Sequence, residues 1–155
     1  MKKLTFFILG FYAISTFAQQ KEVDWLSFPE LEQNLKEAPK PVLIYFYTDW
    51  CVYCKKMNAV VFTNEEVINK LNTAYYAVKF NAETDKAINF GNKTFKNEDF
   101  GKHRVAYHQI PKYLMANDKR SLEFPAIVIL NSKFEIEKRF YRYIAPEEMK
   151  MILKD

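Results

Sequence analysis

The sequence predicts an α/β domain in which a central mixed sheet is flanked by helices. Residues 42–80 contain a strand, a helical stretch and a second strand, which is the pattern of a parallel βαβ unit. Residues 124–155 contain two strands joined by a hairpin turn and then a helix, a ββα unit. Residues 81–120 are polar and lack one clear period, so we expect them to form an insertion ahead of the late strand.

The N-terminal residues 1–18 have the layout of a secretory signal peptide. Two lysines precede an apolar run that extends to Phe17, and Ala18 offers a small residue at the cleavage position. The run is shorter than the roughly 20 apolar residues that a transmembrane helix needs. We therefore expect cleavage there and export of residues 19–155 as a single soluble domain, into the periplasm or another extracytoplasmic space.

The charge pattern argues against nucleic-acid binding. The formal net charge is +4, and two of the basic residues, Lys2 and Lys3, leave with the signal. The remaining Lys and Arg residues are interspersed with Asp and Glu. That distribution is typical of a solvated surface, whereas a nucleic-acid binder carries a dense basic stripe.

The first elements of the domain have clear end signals. Ser27 starts a capping box and predicts a helix over residues 28–38. The unbroken apolar run Val42–Tyr47 predicts a strand buried on both faces. Residues 48–50 form the exit loop of that strand, and a helix is expected to begin at or near Cys51.

The helix that follows Cys51 leads into the second half of the βαβ unit. The residues expected to face inward from this helix are Met57, Val60 and Val61. Thr63 and Glu66 predict a second capping box and a helix through Leu71. Residues 74–80 are again a strand-like apolar run.

The insertion contains two recognisable segments. Gly91 and Asn92 predict the turn of a small hairpin over residues 88–95. Residues 104–115 have helical spacing, which Pro111 should kink or break.

After the insertion, residues 124–130 predict a strand that opens with Pro125. Residues 134–143 alternate well enough to form its antiparallel partner. Pro146 and the two acids after it predict the start of a closing helix.

The two cysteines, Cys51 and Cys54, lie three residues apart. A structural disulfide stabilises a protein mainly by closing a long loop, and this pair closes almost none, so its use must be chemical. The start of a helix at Cys51 favours its thiolate, because unpaired N–H groups and the positive helix end lie beside the sulfur. Cys54 lies one turn further in, so we predict that Cys51 attacks and Cys54 resolves the mixed disulfide.

A proline that opens a late strand adds a third part to the predicted site. We expect a cis bond between Phe124 and Pro125, which would turn the backbone of Phe124 outward to pair with substrate. Trp50 precedes the nucleophile directly, and this place predicts a role in shaping the site. The residues predicted to bind substrate or shape the site are Trp50, Val52, Tyr53, Phe124 and Pro125.

Residues 45–56 resemble the active-site segment of the thioredoxin superfamily, and in particular the C-terminal thioredoxin-like domain of the thiol:disulfide interchange protein DsbD and its small exported relatives. The matching residues are Asp49 to Cys54 with Lys55, followed by Phe62-Thr63 and Val67. The resemblance implies a thioredoxin fold with an insertion before the cis-proline strand. It also implies protein thiol and disulfide substrates, a membrane-bound electron donor, and no cofactor beyond the redox-active Cys51–Cys54 pair.

The sequence departs from the family at two acidic positions. Tyr45 stands where thioredoxins carry a buried Asp, and Asn58 stands where the interchange-protein domain adds a Glu. Proton handling at Cys54 is therefore expected to use Tyr45, Asn58, Asp49 or a water. Val52 and Tyr53 supply no charge between the cysteines, which favours a disulfide reductase or electron relay over a disulfide oxidase or isomerase.

Two other functions fit parts of the sequence. Cys51 and Cys54 with His103 and His108 would supply four zinc ligands, although the gap between the pairs is much longer than the usual ~12–15 residues. The alternative is a non-enzymatic binding module with a remnant cysteine pair and a tyrosine-rich platform. Most of those tyrosines lie at strand positions, where packing against the sheet explains them better.

Overall fold

The computed structural model describes residues 22–115 and 122–153 of the chain. The predicted signal peptide at residues 1–18 lies outside this described part. The strands are β1 (Trp25–Leu26), β2 (Val42–Tyr47), β3 (Tyr76–Asn81), β4 (Ile88–Phe90), β5 (Lys93–Phe95), β6 (Ala126–Leu130) and β7 (Ile136–Phe140). The helices are α1 (Phe28–Glu37), α2 (Val52–Lys56), α3 (Glu65–Ala74), α4 (Gln109–Leu114) and α5 (Pro146–Ile152).

Five of the strands form one mixed sheet in the order β1-β3-β2-β6-β7. Strands β1, β3 and β2 are parallel, whereas β6 is antiparallel to β2 and β7 is antiparallel to β6. The predicted βαβ and ββα units and the mixed sheet are thereby confirmed. The two-residue strand β1 was missed, because so short an element has no period in the sequence.

The central strand β2 separates two hydrophobic cores. Alternate side chains of a strand point to opposite faces, so Leu43 and Tyr45 lie in one core while Ile44 and Phe46 lie in the other. Residues from α3 and α5 cover the first face, and those from α1 cover the second. The continuous apolar run of β2 is the consequence of burial on both faces.

The first helix confirms its predicted capping box. The backbone N–H of Glu30 donates to Ser27 Oγ at 3.4 Å, and the N–H of Ser27 donates to a Glu30 carboxylate oxygen at 2.7 Å. The N-cap of helix α3 lies one residue later than predicted. Asn64, not Thr63, is its N-cap, because Asn64 Oδ1 accepts from the N–H of Val67 at 3.2 Å.

The predicted inward position of Val60 is wrong. A π-helical turn, Met57–Val61, continues α2, and the N–H of Phe62 bonds to the carbonyl of Met57 five residues back. This wider turn shifts the side chains of the turn around the helix axis relative to a regular α-helix. Met57 and Val61 are buried, whereas Val60 is 44% exposed.

The segment between β3 and β6 contains the predicted hairpin, β4 with β5. Gly91 and Asn92 at its turn both have positive φ, at 58° and 61°, as a tight two-residue hairpin turn requires. The helical segment is shorter than predicted, because α4 begins only at Gln109. Pro111 therefore lies in its first turn, where proline is tolerated.

Within the described ranges, no helix is long and apolar enough to cross a membrane.

Helix α4 begins on a buried histidine. His108 is fully buried, its Nδ1 accepts from the N–H of Ile110 at 3.2 Å, and its ring packs edge-on against Phe80. Burial lowers the pKa of His108, and the nearby charge of Lys112 lowers it further, although backbone contacts with Phe95 and Lys86 oppose the shift. The imidazole is therefore held neutral in the folded protein.

We expect the chain to lose stability as the pH falls below about 6.5, the ordinary pKa of histidine. Below this pH, His108 binds a proton in the unfolded chain but stays neutral in the folded protein. The free energy of unfolding therefore falls by at most about 1.4 kcal/mol per pH unit for this group. His108→Asn keeps a capping side chain and should remove this part of the pH dependence in urea unfolding. His103→Asn, at the exposed histidine, is the matched control. A wild-type minus His108→Asn difference that is constant with pH would contradict the assignment.

Candidate active site

The cysteine pair lies where the central strand meets a helix. After β2 the chain turns through residues 48–50, and Cys51 then serves as the N-cap of α2. Cys51 Sγ accepts from the N–H of Cys54 at 3.0 Å, and the two sulfurs are joined in a disulfide. A capping position normally takes an oxygen that accepts from the first helical N–H groups. Here a sulfur occupies it, and the same N–H group would stabilise negative charge on that sulfur after reduction.

The two cysteines are buried, but apolar side chains around them are exposed. Cys51 is 4% exposed and Cys54 is 1% exposed. Val52 between them is 74% exposed, and Tyr53 and Trp50 are also exposed. Exposed large apolar side chains that cluster at one place are typical of a docking surface.

On one side of the cysteines lies a groove of about 410 Å³ that several predicted residues share. It is lined by Tyr53, Phe124, Pro125, Tyr141, Arg142 and Tyr143, with Glu123. The peptide bond between Phe124 and Pro125 is cis, as expected. The rings of Tyr53 and Tyr143, which both line this groove, lie in a tilted arrangement with their centroids 6.4 Å apart. Tyr143 is not among the residues predicted to bind substrate, because it reaches this groove only through the pairing of β6 with β7, the strand that precedes it.

The three residues predicted to handle protons differ in burial and in their hydrogen-bond partners. Tyr45 Oη donates to the backbone carbonyl of Cys54 at 3.1 Å. Burial, with a smaller contribution from Tyr47, raises the pKa of Tyr45 far above its ordinary value, so its phenol stays protonated. The exposed Asp49 accepts from Asn81 Nδ2 at 3.0 Å. Within the described part of the chain, neither bonds to a cysteine sulfur.

Asn58 lines a small cavity of about 140 Å³ that Lys79 also lines. Asn58 Oδ1 is buried and has no hydrogen-bond partner among the described residues. Burial lowers the pKa of Lys79, whose backbone is paired in register with Tyr45. Lys79 is not among the predicted site residues, although a lysine inside an apolar strand is visible in the sequence. The proton-handling roles of Tyr45, Asp49 and Asn58 stay predictions.

Trp50 is held by an acid that the sequence did not indicate. Both carboxylate oxygens of Glu83 accept from Trp50 Nε1, at 3.0 and 3.1 Å. Glu83 lies just beyond the end of β3, so the parallel pairing of β2 and β3 brings these two residues to the same edge of the sheet. The indole is thereby fixed beside the cysteine pair.

The two histidines of the zinc alternative do not form a cluster with the cysteines. His108 is buried against Phe80, and His103 lines a separate groove next to Trp50. In residues 22–115 and 122–153, no group of three or more His, Cys, Asp and Glu side chains is placed to hold a metal ion.

Comparison with known proteins gives one family. The family model described as thioredoxin-like matches residues 24–132. The thiol:disulfide interchange protein DsbD of Yersinia enterocolitica is 36% identical in a 67-residue alignment that covers 39% of this chain and 12% of that protein. The chain thus spans only a small part of the length of this relative.

Solved structures share the fold at low sequence identity. A thioredoxin from Thermus thermophilus has a TM-score of 0.59 and 17% identity, covering 85% of both chains. The reduced C-terminal domain of Neisseria meningitidis DsbD has a TM-score of 0.52 and 17% identity, covering 81% of this chain and 89% of that one. These likenesses confirm the predicted fold.

Proposed function

Because the chain belongs to the thioredoxin-like family, we propose that it is an exported thiol–disulfide oxidoreductase that acts as a protein-disulfide reductase or electron relay. One observation carries the proposal. The Cys51–Cys54 disulfide lies at a helix start, with Cys51 Sγ accepting a backbone N–H and exposed apolar side chains around it. A buried structural disulfide would need neither the capping position nor the exposed surround.

The proposed reaction is two successive thiol–disulfide exchanges. In the reduced protein, the Cys51 thiolate attacks one sulfur of a substrate disulfide, and the other substrate sulfur leaves as a thiolate. Cys54 then loses its proton and attacks Cys51 Sγ, which releases the second substrate thiol. Two electrons pass to the substrate, and the protein is left with the Cys51–Cys54 disulfide. A donor must return two electrons before the next turnover, and we propose a membrane-bound protein for this role.

The direction of electron flow is supported by the residues between the cysteines. A strong oxidant is one whose reduced form is especially stable. Val52 and Tyr53 bring no charge to the Cys51 sulfur, and Cys54 supplies one N–H to it. Nothing at these positions would stabilise the reduced form beyond the helix start itself, so a reducing couple is expected. An extracytoplasmic location fits the proposal, because the substrate disulfides that a reductase acts on form and persist in oxidising compartments.

We expect the Cys51–Cys54 couple to have a reduction potential near that of thioredoxin, about −270 mV. The measurement is equilibration with dithiothreitol or glutathione buffers, with the dithiol and disulfide forms separated after alkylation. A value near that of a strong oxidant, about −120 mV, would overturn the reductase assignment. Each 30 mV corresponds to about 1.4 kcal/mol, so the two outcomes are well separated.

A further inference from the structure

A second groove adjoins the cysteine pair on the side of Trp50. We call it the insertion groove, because most of its lining comes from residues between β3 and β6. It has a volume of about 670 Å³. The lining residues that matter here are Trp50, Glu83, Phe100, His103, Arg104 and Val105. Trp50 directly precedes Cys51, so a chain bound in this groove lies beside the reacting sulfur.

The walls of the insertion groove are joined by hydrogen bonds from one side chain and one backbone N–H to backbone carbonyls. The side chain of Asn97 is buried, and its Nδ2 donates to the carbonyls of Ala106 at 2.9 Å and Thr84 at 3.3 Å. The N–H of His108 donates to the carbonyl of Ala82 at 2.8 Å. These bonds join the segment that precedes α4 to the end of β3. The groove is therefore formed before any partner binds, which lowers the entropy cost of binding.

The insertion groove exposes large apolar side chains. Phe100 is 53% exposed and Val105 is 51% exposed, and the exposed Trp50 lines the same groove. Their presence together in one groove is typical of a surface that a partner covers, since single scattered apolar residues would need no explanation.

One cation of the lining, Arg104, favours an acidic side chain in the partner. Arg104 is exposed and makes no ion pair or hydrogen bond with any residue in the described ranges. Glu83 also lines the groove and keeps its negative charge, but both of its oxygens accept from Trp50 Nε1. Asp99 forms a 2.8 Å ion pair with Lys112, so neither acid pairs with Arg104. The open cation is thus complementary to a carboxylate of a bound chain.

We propose that the insertion groove binds the stretch of a protein substrate that flanks its reactive cysteine. An apolar side chain of that stretch packs against Phe100 and Val105, and an acidic side chain faces Arg104. The inference rests on the proposed function, because it assigns the sequence class of disulfide substrates that this oxidoreductase prefers.

The test uses synthetic peptides that each contain one internal disulfide. One peptide carries Phe and Asp beside its first cysteine, a second carries Phe and Lys, and a third carries Ser and Lys. The reduced protein is mixed with each peptide, the exchange is stopped with acid at successive times, and the reduced peptide is separated from its disulfide form and quantified. Each rate is divided by the rate of the same peptide with dithiothreitol, which removes differences in intrinsic reactivity.

We expect the Phe and Asp peptide to react about fivefold faster than the Phe and Lys peptide, the size expected for an exposed charge pair. The preference should shrink in high salt, where the Debye length falls to about 3 Å. Arg104→Gln should remove it and Arg104→Glu should reverse it. Lys133→Glu is the matched charge reversal, because Lys133 is exposed in the turn at the end of β6 away from Pro125. It should leave the preference unchanged.

The outcomes separate the two proposals. If the protein reduces all three peptides at one normalised rate and Arg104→Glu changes nothing, the insertion groove is not the substrate site, while the oxidoreductase assignment stands. If the protein reduces no peptide and also fails with insulin, the proposed function fails, and the inference fails with it.

Discussion

Replacement of Cys51 by serine is expected to reduce insulin-disulfide reduction to the rate of the reductant alone. A serine hydroxyl is not ionised at neutral pH, so the attacking group is lost, whereas the thiolate of Cys51 is favoured by its capping position. The measurement is the turbidity of reduced insulin with dithiothreitol as electron donor. The disulfide closes a very short loop, so the loss of chain-entropy stabilisation should be small and the variant should stay folded.

Cys54→Ser is the matched variant. It keeps the attacking thiol and removes the resolving one, so a mixed disulfide with substrate should accumulate and be visible by non-reducing electrophoresis. Cys51→Ser should form no such adduct. If the pattern were reversed, with adducts on Cys51→Ser alone, the assignment of nucleophile and resolving thiol would be wrong. A folded wild-type protein that reduces no insulin would instead favour a non-enzymatic binding module.

The second large effect is expected at Asn97. Its Nδ2 lies within hydrogen-bond distance of three backbone carbonyls, those of Glu83, Thr84 and Ala106, at 3.4, 3.3 and 2.9 Å. Asn97→Ala leaves these acceptors without their donor in a buried place, and each unsatisfied buried group costs about 1–3 kcal/mol. We expect the free energy of unfolding in urea to fall by about 2 kcal/mol. Hydrogen exchange at residues 82–84 and 106–108 should also become faster.

Asn89→Ala is the control for this change. Asn89 is exposed in β4, and its Oδ1 accepts from Thr94 Oγ1 at 2.7 Å. Surface substitutions of this kind change stability by about 0.5 kcal/mol or less. Equal stability of Asn97→Ala and Asn89→Ala, with unchanged exchange in both, would show that Asn97 does not join the segment to β3.

Many elements were readable because their signals are local. The Ser27 capping box, the apolar run of β2 and the Gly91 turn each depend on residues within one element, and the structure has all three. The disulfide of Cys51 with Cys54 also joins residues one helical turn apart.

Other predictions are wrong at positions where two local signals compete. Thr63 and Asn64 are both good N-caps, and Asn64 occupies the cap while Thr63 Oγ1 bonds back to the carbonyl of Ala59 at 2.8 Å. A regular helical period predicts that Val60 faces inward, whereas the π-helical turn leaves its side chain exposed. A sequence period cannot reveal such a turn, because a single wider turn changes only a few positions.

The cysteine pair and its place between a buried strand and a helix were determined by the sequence alone. Its chemistry follows from adjacent residues, since a helix start acts on the sulfur that caps it. The tertiary structure alone decided what surrounds the pair: Glu83 on Trp50, Tyr143 opposite Tyr53, and the insertion groove with Arg104. These contacts join residues that are far apart in the chain, and only the pairing of strands and the folding of the insertion bring them together.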